Sequence, residues 1–329
     1  MFRRSVLKLA ALAIAGLAAF GATVAFAAYP ERPIELIVPW GAGGGTDAVG
    51  RIFASLLEKE LGVPVNVVNR TGGSGVVGHT AIASAPPDGY TLGVMTVEIA
   101  MMHHQGLTPL TFQDFTVLAL VNADPGGVMV SADSPYKTVA ELLAVIKEQP
   151  AGTFKASGTG QGGIWHLGLA GWLLSEGVDP NKVAWVPSQG AAPGLTDMVA
   201  GGVNIVTASL AEGRALIEAG KVRPLAHMGA ERNPTFPDVP TLKEATGSEW
   251  TVAAWRALVG PKGLPEDVRA TLTSAIEKAS NSPEFQGFMQ ERGFGIVWTP
   301  GAEAETFMAE SDAEFGEVMR KAGLAQPTQ

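Results

Sequence analysis

The sequence predicts an α/β protein, and three observations lead to this prediction. Short apolar runs alternate with longer segments in which apolar residues recur every three or four positions. Glycine and proline, 41 and 22 residues respectively, cluster between these segments as turns. The chain has 329 residues, 46% of them hydrophobic, which suffices for about two domains with cores of their own. Such alternation favours one or two largely parallel sheets covered by helices.

The predicted elements follow one another as strand and helix along the chain. Residues 34–38 form the first strand, and a glycine-rich turn leads into a helix over residues 47–61 with a buried apolar stripe. The other predicted strands are residues 65–68, 91–95, 117–121, 128–131, 154–157, 183–186, 203–207 and 225–228. The other predicted helices are residues 139–148, 164–175, 195–200, 266–280 and 302–322. Ligands of open α/β sheets bind at the carboxyl ends of strands, so we expect the site in the loops that follow them.

Residues 1–27 are predicted to be a signal peptide. Arg3, Arg4 and Lys8 precede an uncharged stretch rich in alanine and leucine, and residues 25–27 have the small-x-small pattern of a cleavage site. The arginine pair also resembles a twin-arginine export signal, so the export route stays open. An uncleaved membrane anchor is the alternative, because the uncharged stretch approaches the length that spans a bilayer. Cleavage after about Ala27 predicts a periplasmic protein.

Charge and composition exclude several classes of function. The net charge is −9, and removal of residues 1–27 leaves 20 basic against 32 acidic side chains, a charge of −12. This balance argues against a nucleic-acid partner. The absence of cysteine excludes disulfides, cysteine-ligated metals and thiol catalysis. The five histidines show no metal-binding spacing, and the adjacent His103 and His104 are expected to face apart, so no metal or cofactor is predicted.

The first glycine-rich loop, residues 40–47, follows a strand and opens a helix. Glycines let the backbone approach a ligand closely, and a helix N-terminus offers free N–H groups to an anion. Neither a dinucleotide fingerprint nor a P-loop is present, and a simple tight turn is the alternative. Thr46 is the expected N-cap, and Asp47 is expected to order the loop because a carboxylate repels an anionic ligand. The candidate ligand residues are Trp40, Ala42, Gly43, Gly44, Thr46 and Asp47.

The second glycine-rich loop, residues 156–163, also links a strand to a helix. Neither loop contains lysine or arginine, so the backbone dipoles of two helix N-termini are expected to hold a carboxylate without a buried cation. A packing or capping role is the alternative for His166, and Trp165 either closes over a ligand or fills the core. No G-x-S-x-G or similar pattern occurs, so no catalytic residue is predicted. The candidate ligand residues here are Ser157, Gly158, Thr159, Gly160, Gln161 and His166.

The order of these motifs resembles the extracytoplasmic substrate-binding proteins of tripartite tricarboxylate transporters, the Bug/TctC family. The similarity spans nearly all of the chain after residue 28. The segments on which the similarity rests are residues 29–34, 37–40, 46–47, 69–70, 87–92, 157–158 with His166, 189–193, 238–241 and 260–261. Each short match is weak by itself, but their order and spacing together are specific.

This resemblance implies a type II periplasmic-binding-protein fold, in which two α/β domains enclose a ligand cleft and the chain crosses between them twice. It places residues 28–124 and 251–329 in domain 1 and residues 125–250 in domain 2, and it adds Thr96, Gln189 and Ser209 to the site. It implies a receptor that captures a small organic di- or tricarboxylate and delivers it to the permease subunits of such a transporter. The alternatives are an enzyme related to α/β hydrolases or transferases, and a ligand-sensing receptor for a signalling partner.

Overall fold

The structure is a computed structural model that describes residues 29–326. The signal peptide predicted over residues 1–27 lies outside these residues. The chain divides into two compact units, Met1–Glu31 and Arg32–Gln329. Of the first unit only residues 29–31 are described, and they include a cis peptide bond between Tyr29 and Pro30. Within the described range, no helix is both long and apolar enough to cross a membrane.

The described part of the second unit contains ten strands and ten α-helices. The strands are β1 (Ile34–Val38), β2 (Val65–Asn69), β3 (Thr91–Thr96), β4 (Phe115–Ser131), β5 (Phe154–Ser157), β6 (Val183–Trp185), β7 (Ile205–Ser209), β8 (Val222–His227), β9 (Ala253–Pro261) and β10 (Thr299–Pro300). The helices are α1 (Gly45–Leu61), α2 (Val76–Ala83), α3 (Val139–Glu148), α4 (Ile164–Ser175), α5 (Ala191–Val199), α6 (Leu210–Glu218), α7 (Leu242–Thr246), α8 (Glu266–Ser280), α9 (Pro283–Arg292) and α10 (Gly301–Lys321).

One group of strands forms a mixed sheet with a parallel edge. β1 pairs in parallel with β2 and β3, which sets Leu36 opposite Val67 and Leu92. β9 runs antiparallel to β3, β4 runs antiparallel to β9, and the short β10 adds to β4. The side chains of Leu36 and Leu92 are fully buried, as expected of parallel strands with both faces covered.

The second group of strands shares β4 with the first. β7 and β8 both pair antiparallel with β4, and β5 pairs in parallel with β7 and β6. β4 pairs with β9 as far as Pro125 and with β7 from Gly126 onward. The strand order is therefore β2-β1-β3-β9-β4-β7-β5-β6. The predicted parallel strands are present toward both ends of this order, and the long strands β4 and β9 add antiparallel pairs between them.

Two features of the strands differ from the sequence prediction. The two strands predicted at 117–121 and 128–131 are one strand, because the intervening turn-forming residues 124–127 are held extended by pairing with β7 and β9. Ladder hydrogen bonds on both sides outweigh the local preference of proline and glycine for a turn. The strands β9 and β10 were not predicted at all, and neither were the helices α2, α6, α7 and α9.

Aromatic packing fixes the helix that begins at the first glycine-rich loop. Phe53 on α1 lies 4.8 Å from Phe285 on α9, measured between ring centroids, and both side chains are fully buried. Burial of two phenylalanine side chains contributes several kcal/mol. This contact fixes α1 against α9.

Candidate ligand-binding site

A cleft lies where the loops after β1, β3, β5 and β6 meet. The centre of a water molecule can reach about 50 Å³ of it, which is room for a few waters or one small organic molecule. The carboxyl ends of these strands therefore surround one small binding space, as expected for an α/β protein. The lining residues are Trp40, Gly41, Ala42, Gly44, Gly45, Thr46, residues 96–98, Thr159, Ile164, Trp165, residues 189–193, Glu212 and residues 254–256.

Three helix N-termini border this cleft. α1, α4 and α5 begin after Gly44, Gly163 and Gly190, and within the described chain none of these three N-caps receives a side-chain hydrogen bond. By contrast, α3, α6 and α7 each begin with a serine or threonine capping box. The first N–H groups of a helix have no intrahelical partner and carry a partial positive charge. The three glycine-capped helices thus direct backbone donors at the same space, and one donor of α4 is bound to Glu98.

The first loop is ordered by Asp47 rather than by Thr46. Asp47 accepts hydrogen bonds of 2.9 Å from the Gly43 amide, from Arg51 Nε and from Asn69 Nδ2. Burial raises the pKa of Asp47, but these hydrogen bonds outweigh burial and hold the pKa below its usual value. This is the structural role expected for Asp47 from the sequence. The predicted N-cap Thr46 lies inside the helix, and its hydroxyl points to another partner.

That partner is Arg256 on β9, a buried cation that the sequence analysis missed. Its Nε donates to Thr46 Oγ1 at 3.0 Å, and its Nη1 donates to Asp124 Oδ2 at 2.5 Å and to Asn122 Oδ1. The side chain is 3% exposed. The expectation of a site without a buried cation is therefore wrong. A single arginine inside the apolar segment Ala253–Pro261 was the available signal, because arginine is rarely buried without a specific partner.

Two buried glutamates also line the cleft and were not predicted. Glu98 is 3% exposed, and the Glu212 side chain is 7% exposed. Burial raises the pKa of both carboxyls above the usual value for glutamate. Glu212 Oε1 lies 3.8 Å from Arg256 Nη2, too far for a hydrogen bond. Within the described chain, Nη2 has no hydrogen-bond acceptor, so its N–H groups are free to bind a ligand.

A chain of hydrogen bonds holds Glu98 in place. Trp40 Nε1 donates to Thr96 Oγ1 at 3.2 Å, and Thr96 Oγ1 donates to Glu98 Oε2 at 2.6 Å. The other carboxylate oxygen of Glu98 accepts the Ile164 amide at 3.3 Å. Glu98 thereby takes up one of the donors at the N-terminus of α4. The Thr96 amide in turn donates to His79 Nε2 at 3.1 Å, which ties the site to α2.

Two polar side chains at the cleft lack partners. Thr159 Oγ1 and Trp255 Nε1 are buried, and neither has a hydrogen bond to any of the residues described. Both residues belong to the lining, and both side chains are more than nine-tenths buried. Buried polar groups are normally hydrogen-bonded in native proteins. A polar ligand in this space would supply the missing hydrogen bonds of both side chains.

The other predicted residues of the second loop pack against neighbouring elements. A side chain at Gly158 would collide with the Thr207 carbonyl, and one at Gly160 would collide with Ser74. His166 Nδ1 accepts the Gly162 amide at 3.0 Å, and the imidazole stacks on Trp185 at 4.5 Å. Burial lowers the pKa of His166 to about 4, so this side chain is a neutral packing group.

The predicted site residues thus divide into two groups. One group lines the cleft and the other lies outside it. Ser209 lies outside the lining, because its side chain caps α6 and hydrogen-bonds Glu212. The residues that line the cleft are Trp40, Ala42, Gly44, Thr46, Thr96, Thr159 and Gln189. Those that lie outside the lining are Gly43, Asp47, Ser157, Gly158, Gly160, Gln161, His166 and Ser209.

The adjacent histidines His103 and His104 face the same carboxylate, contrary to expectation. His103 Nε2 lies 3.2 Å from Asp312 Oδ2, and His104 Nε2 lies 3.1 Å from Asp312 Oδ1. They lie in an irregular turn after β3, and a turn does not force adjacent side chains to point in opposite directions. These hydrogen bonds fasten the turn to α10.

Comparison with known proteins identifies the family. The profile described as "Tripartite tricarboxylate transporter family receptor" (TctC) matches residues 49–324. The chain is 31% identical over 289 residues to "UPF0065 protein in tcbD-tcbE intergenic region" from Pseudomonas sp. strain P51, and this match covers 87% of the chain and 85% of the relative. Among solved structures, "periplasmic binding protein BugD" aligns with 28% identity and a TM-score of 0.82, covering 91% of this chain and 100% of BugD.

Two further solved structures contain carboxylates. MatC from Rhodopseudomonas palustris with bound malate is 26% identical, with a TM-score of 0.81 and coverage of 88% of this chain and 99% of MatC. Rpa4515 from R. palustris with adipate is 27% identical, with a TM-score of 0.85 and coverage of 90% and 99%. The predicted two-domain periplasmic-binding-protein fold is confirmed, and these relatives imply a periplasmic location. The chain belongs to the tripartite tricarboxylate transporter receptor family, whose members are solute-binding receptors and not enzymes.

Proposed function

We propose that this protein captures a small organic di- or tricarboxylate in the cleft described above. The observation that carries the proposal is the convergence of three glycine-capped helix N-termini on a cleft that also contains the free Nη2 of Arg256. Helix N-termini and a guanidinium group both favour carboxylate oxygens. The malate and adipate bound to two structural relatives support the same ligand class.

The proposed ligand contacts come from those predicted site residues that line the cleft. The loop of Gly44 supplies backbone N–H groups, and Thr159 supplies a free hydroxyl. Gln189 and the N-terminus of α5 supply further donors from the loop after β6. Arg256 adds a charge-assisted hydrogen bond, which is about twice as strong as a neutral one.

We also propose that the receptor is exported and passes its ligand to a membrane permease. Export follows from the signal peptide predicted to end at about Ala27, and delivery follows from the family of transporter receptors. Domains over residues 28–124 with 251–329 and over residues 125–250 would close on the ligand, with β4 and the segment before β9 as the crossings. Small-angle scattering that shows a smaller radius of gyration with ligand would support this closure, and an unchanged radius would contradict it.

Thermal unfolding with a panel of carboxylates tests the binding proposal. The purified protein is heated with citrate, malate, succinate, glutamate or an aromatic dicarboxylate. A ligand at about 100 times its Kd stabilises the folded state by about 2.7 kcal/mol when it binds only that state. We expect a raised melting temperature with at least one member of the panel. No shift with any of them would refute the carboxylate-receptor proposal.

A further inference from the structure

The cleft has more acidic groups than a receptor for a simple dianion needs. Glu98 and Glu212 line it, and Asp124 lies directly behind Arg256. The only positively charged side chain among its described lining residues is Arg256. Arg256 pairs with Asp124 at 2.5 Å, and its Nη2 also lies 3.8 Å from Glu212 Oε1, so one positive charge faces three carboxylates.

A dicarboxylate would add two further negative charges to this buried space. Burial of unpaired charges is costly, and like charges at close range raise that cost. Burial raises the pKa values of Glu98 and Glu212, because a buried site disfavours the charged form of a carboxyl group. A positive group on the ligand would reverse this, because it would pair with both carboxylates when the cleft is filled.

One of the three anion-attracting helix ends is also partly occupied by the protein itself. Glu98 Oε1 accepts the Ile164 amide at the start of α4, where a ligand carboxylate would otherwise bind. The N-termini of α1 and α5 and Arg256 Nη2 remain available to the ligand. The cleft therefore has a site for an anion at the N-termini of α1 and α5 with Arg256. At the N-terminus of α4 it presents the carboxylate of Glu98, which accepts hydrogen bonds.

Indole side chains complete the lining. Trp40, Trp165 and Trp255 all border the cleft and are at most 7% exposed. Tryptophan is the aromatic residue that attracts cations best, and quaternary or primary ammonium groups are commonly bound among such rings. A cleft with three indoles and two glutamates is suited to a cationic nitrogen.

We propose that the ligand is a zwitterionic organic acid, whose carboxylate binds at the N-termini of α1 and α5 with Arg256 and whose cationic nitrogen binds Glu98 and Glu212. This inference rests on the proposed receptor function and narrows its ligand class. A carboxylate alone satisfies only the donors of the site, and a zwitterion satisfies both the donors and the acceptors.

Isothermal titration with matched ligand pairs tests the proposal. Succinate is compared with 3-aminopropanoate and adipate with 5-aminopentanoate, so that one carboxylate is replaced by an ammonium on the same carbon chain. Malate and aspartate form a third pair, in which a hydroxyl is replaced by an ammonium. We expect the amino acid of each binding pair to bind about 10- to 150-fold more tightly, the value of one hydrogen bond to a charged group.

Three variants assign the effect to residues. Glu98→Gln and Glu212→Gln keep the size of the side chain and one of its two oxygen acceptors but remove its charge. Each is expected to weaken aminocarboxylate binding about 10- to 150-fold and to strengthen dicarboxylate binding, because a negative charge that faces the ligand is removed. Glu218→Gln is the matched control on α6, because Glu218 is exposed and paired with Arg214. It is expected to bind every ligand as the wild type does.

The outcomes separate the two proposals. Tighter binding of the dicarboxylates, with no change of preference in Glu98→Gln or Glu212→Gln, would overturn the zwitterion inference and leave the receptor function in place. Failure of every ligand in both series to bind the wild-type protein would overturn the proposed receptor function and the inference with it.

Discussion

Acidification is expected to destabilise the protein through His79, a residue that supports the cleft from behind. His79 is fully buried, and its Nδ1 lies 2.8 Å from the Gly75 carbonyl while its Nε2 lies 3.1 Å from the Thr96 amide. A carbonyl only accepts and an amide only donates, so the neutral Nδ1–H tautomer is the form that satisfies both. Protonation of Nε2 would abolish the hydrogen bond that holds Thr96.

The size of this effect follows from the pKa. Burial lowers the pKa of His79 from 6.5 to about 4. The unfolded chain therefore binds the proton first, and the stability contributed by neutral His79 is present above pH 6.5 and is lost as the pH falls toward 4. The limiting loss is about 3.4 kcal/mol, and about 2.5 kcal/mol of it is expected by pH 4.5.

Urea unfolding at pH 7.5, 6.5, 5.5 and 4.5 measures this loss in the wild type and in His79→Gln. The difference in unfolding free energy between the two proteins is expected to change by about 2.5 kcal/mol across the series. The opposite contributions of Glu98 and Glu212, whose pKa values are raised, cancel in that difference. An equal loss in both proteins, within about 0.5 kcal/mol, would refute the role assigned to His79.

His103→Gln is the matched control for this experiment. The hydrogen bond to Asp312 raises the pKa of His103, so its contribution is present below pH 6.5 and is lost as the pH rises through the folded-state pKa. Its difference from the wild type is therefore expected to change in the opposite direction. A change in the same direction as that of His79→Gln would show that the acid response is a general one.

Three further predictions concern the cleft. Arg256→Gln leaves Asp124 buried and unpaired, so urea unfolding is expected to show a loss of about 3–5 kcal/mol, and a loss below about 1 kcal/mol would contradict the buried ion pair. Gly158→Ala is expected to lower the free energy of unfolding by about 1–3 kcal/mol, because the new methyl group collides with the Thr207 carbonyl. Gly44→Ala is the control, because Gly44 has room for a methyl group, and its free energy of unfolding is expected to stay within about 0.5 kcal/mol of the wild type. Equal effects of the two substitutions would contradict the packing described. Thr159→Val is expected to leave stability nearly unchanged and to weaken ligand binding about 10- to 150-fold in a titration, and unchanged affinity would exclude its free hydroxyl from the site.

The α/β class and the position of both glycine-rich loops could be predicted because the information is local. Periodicity marks each strand and helix, and a glycine-rich segment after a strand marks an open helix N-terminus without knowledge of the rest of the chain. The family could be predicted for a related reason, since its motifs occur in a fixed order along the chain. Trp40, Gly44 and Thr159 were found in this way, and all three line the cleft.

Local reasoning was less successful within each loop. Every residue of a glycine-rich segment looks alike as a ligand candidate, but the backbone turns some of them away from the cleft. Gly158 and Gly160 are glycines because neighbouring elements leave no room for a side chain, and His166 packs on Trp185. Their surroundings come from elements distant in sequence, which a local pattern does not contain.

The charges of the cleft were decided by the tertiary structure alone. Glu98 follows β3, Glu212 lies on α6, and Arg256 lies on β9, a strand that was not predicted. Glu98 and Arg256 are each a single charged residue in an apolar stretch, whereas Glu212 is followed by Arg214, and sequence spacing does not relate the three to one another. The antiparallel register of β9 against β3 and β4 sets Arg256 opposite Thr96 and Asn122. The sequence by itself thus determined the class of fold and the backbone donors of the site, whereas strand register determined which charges surround the ligand, because register depends on contacts between distant segments.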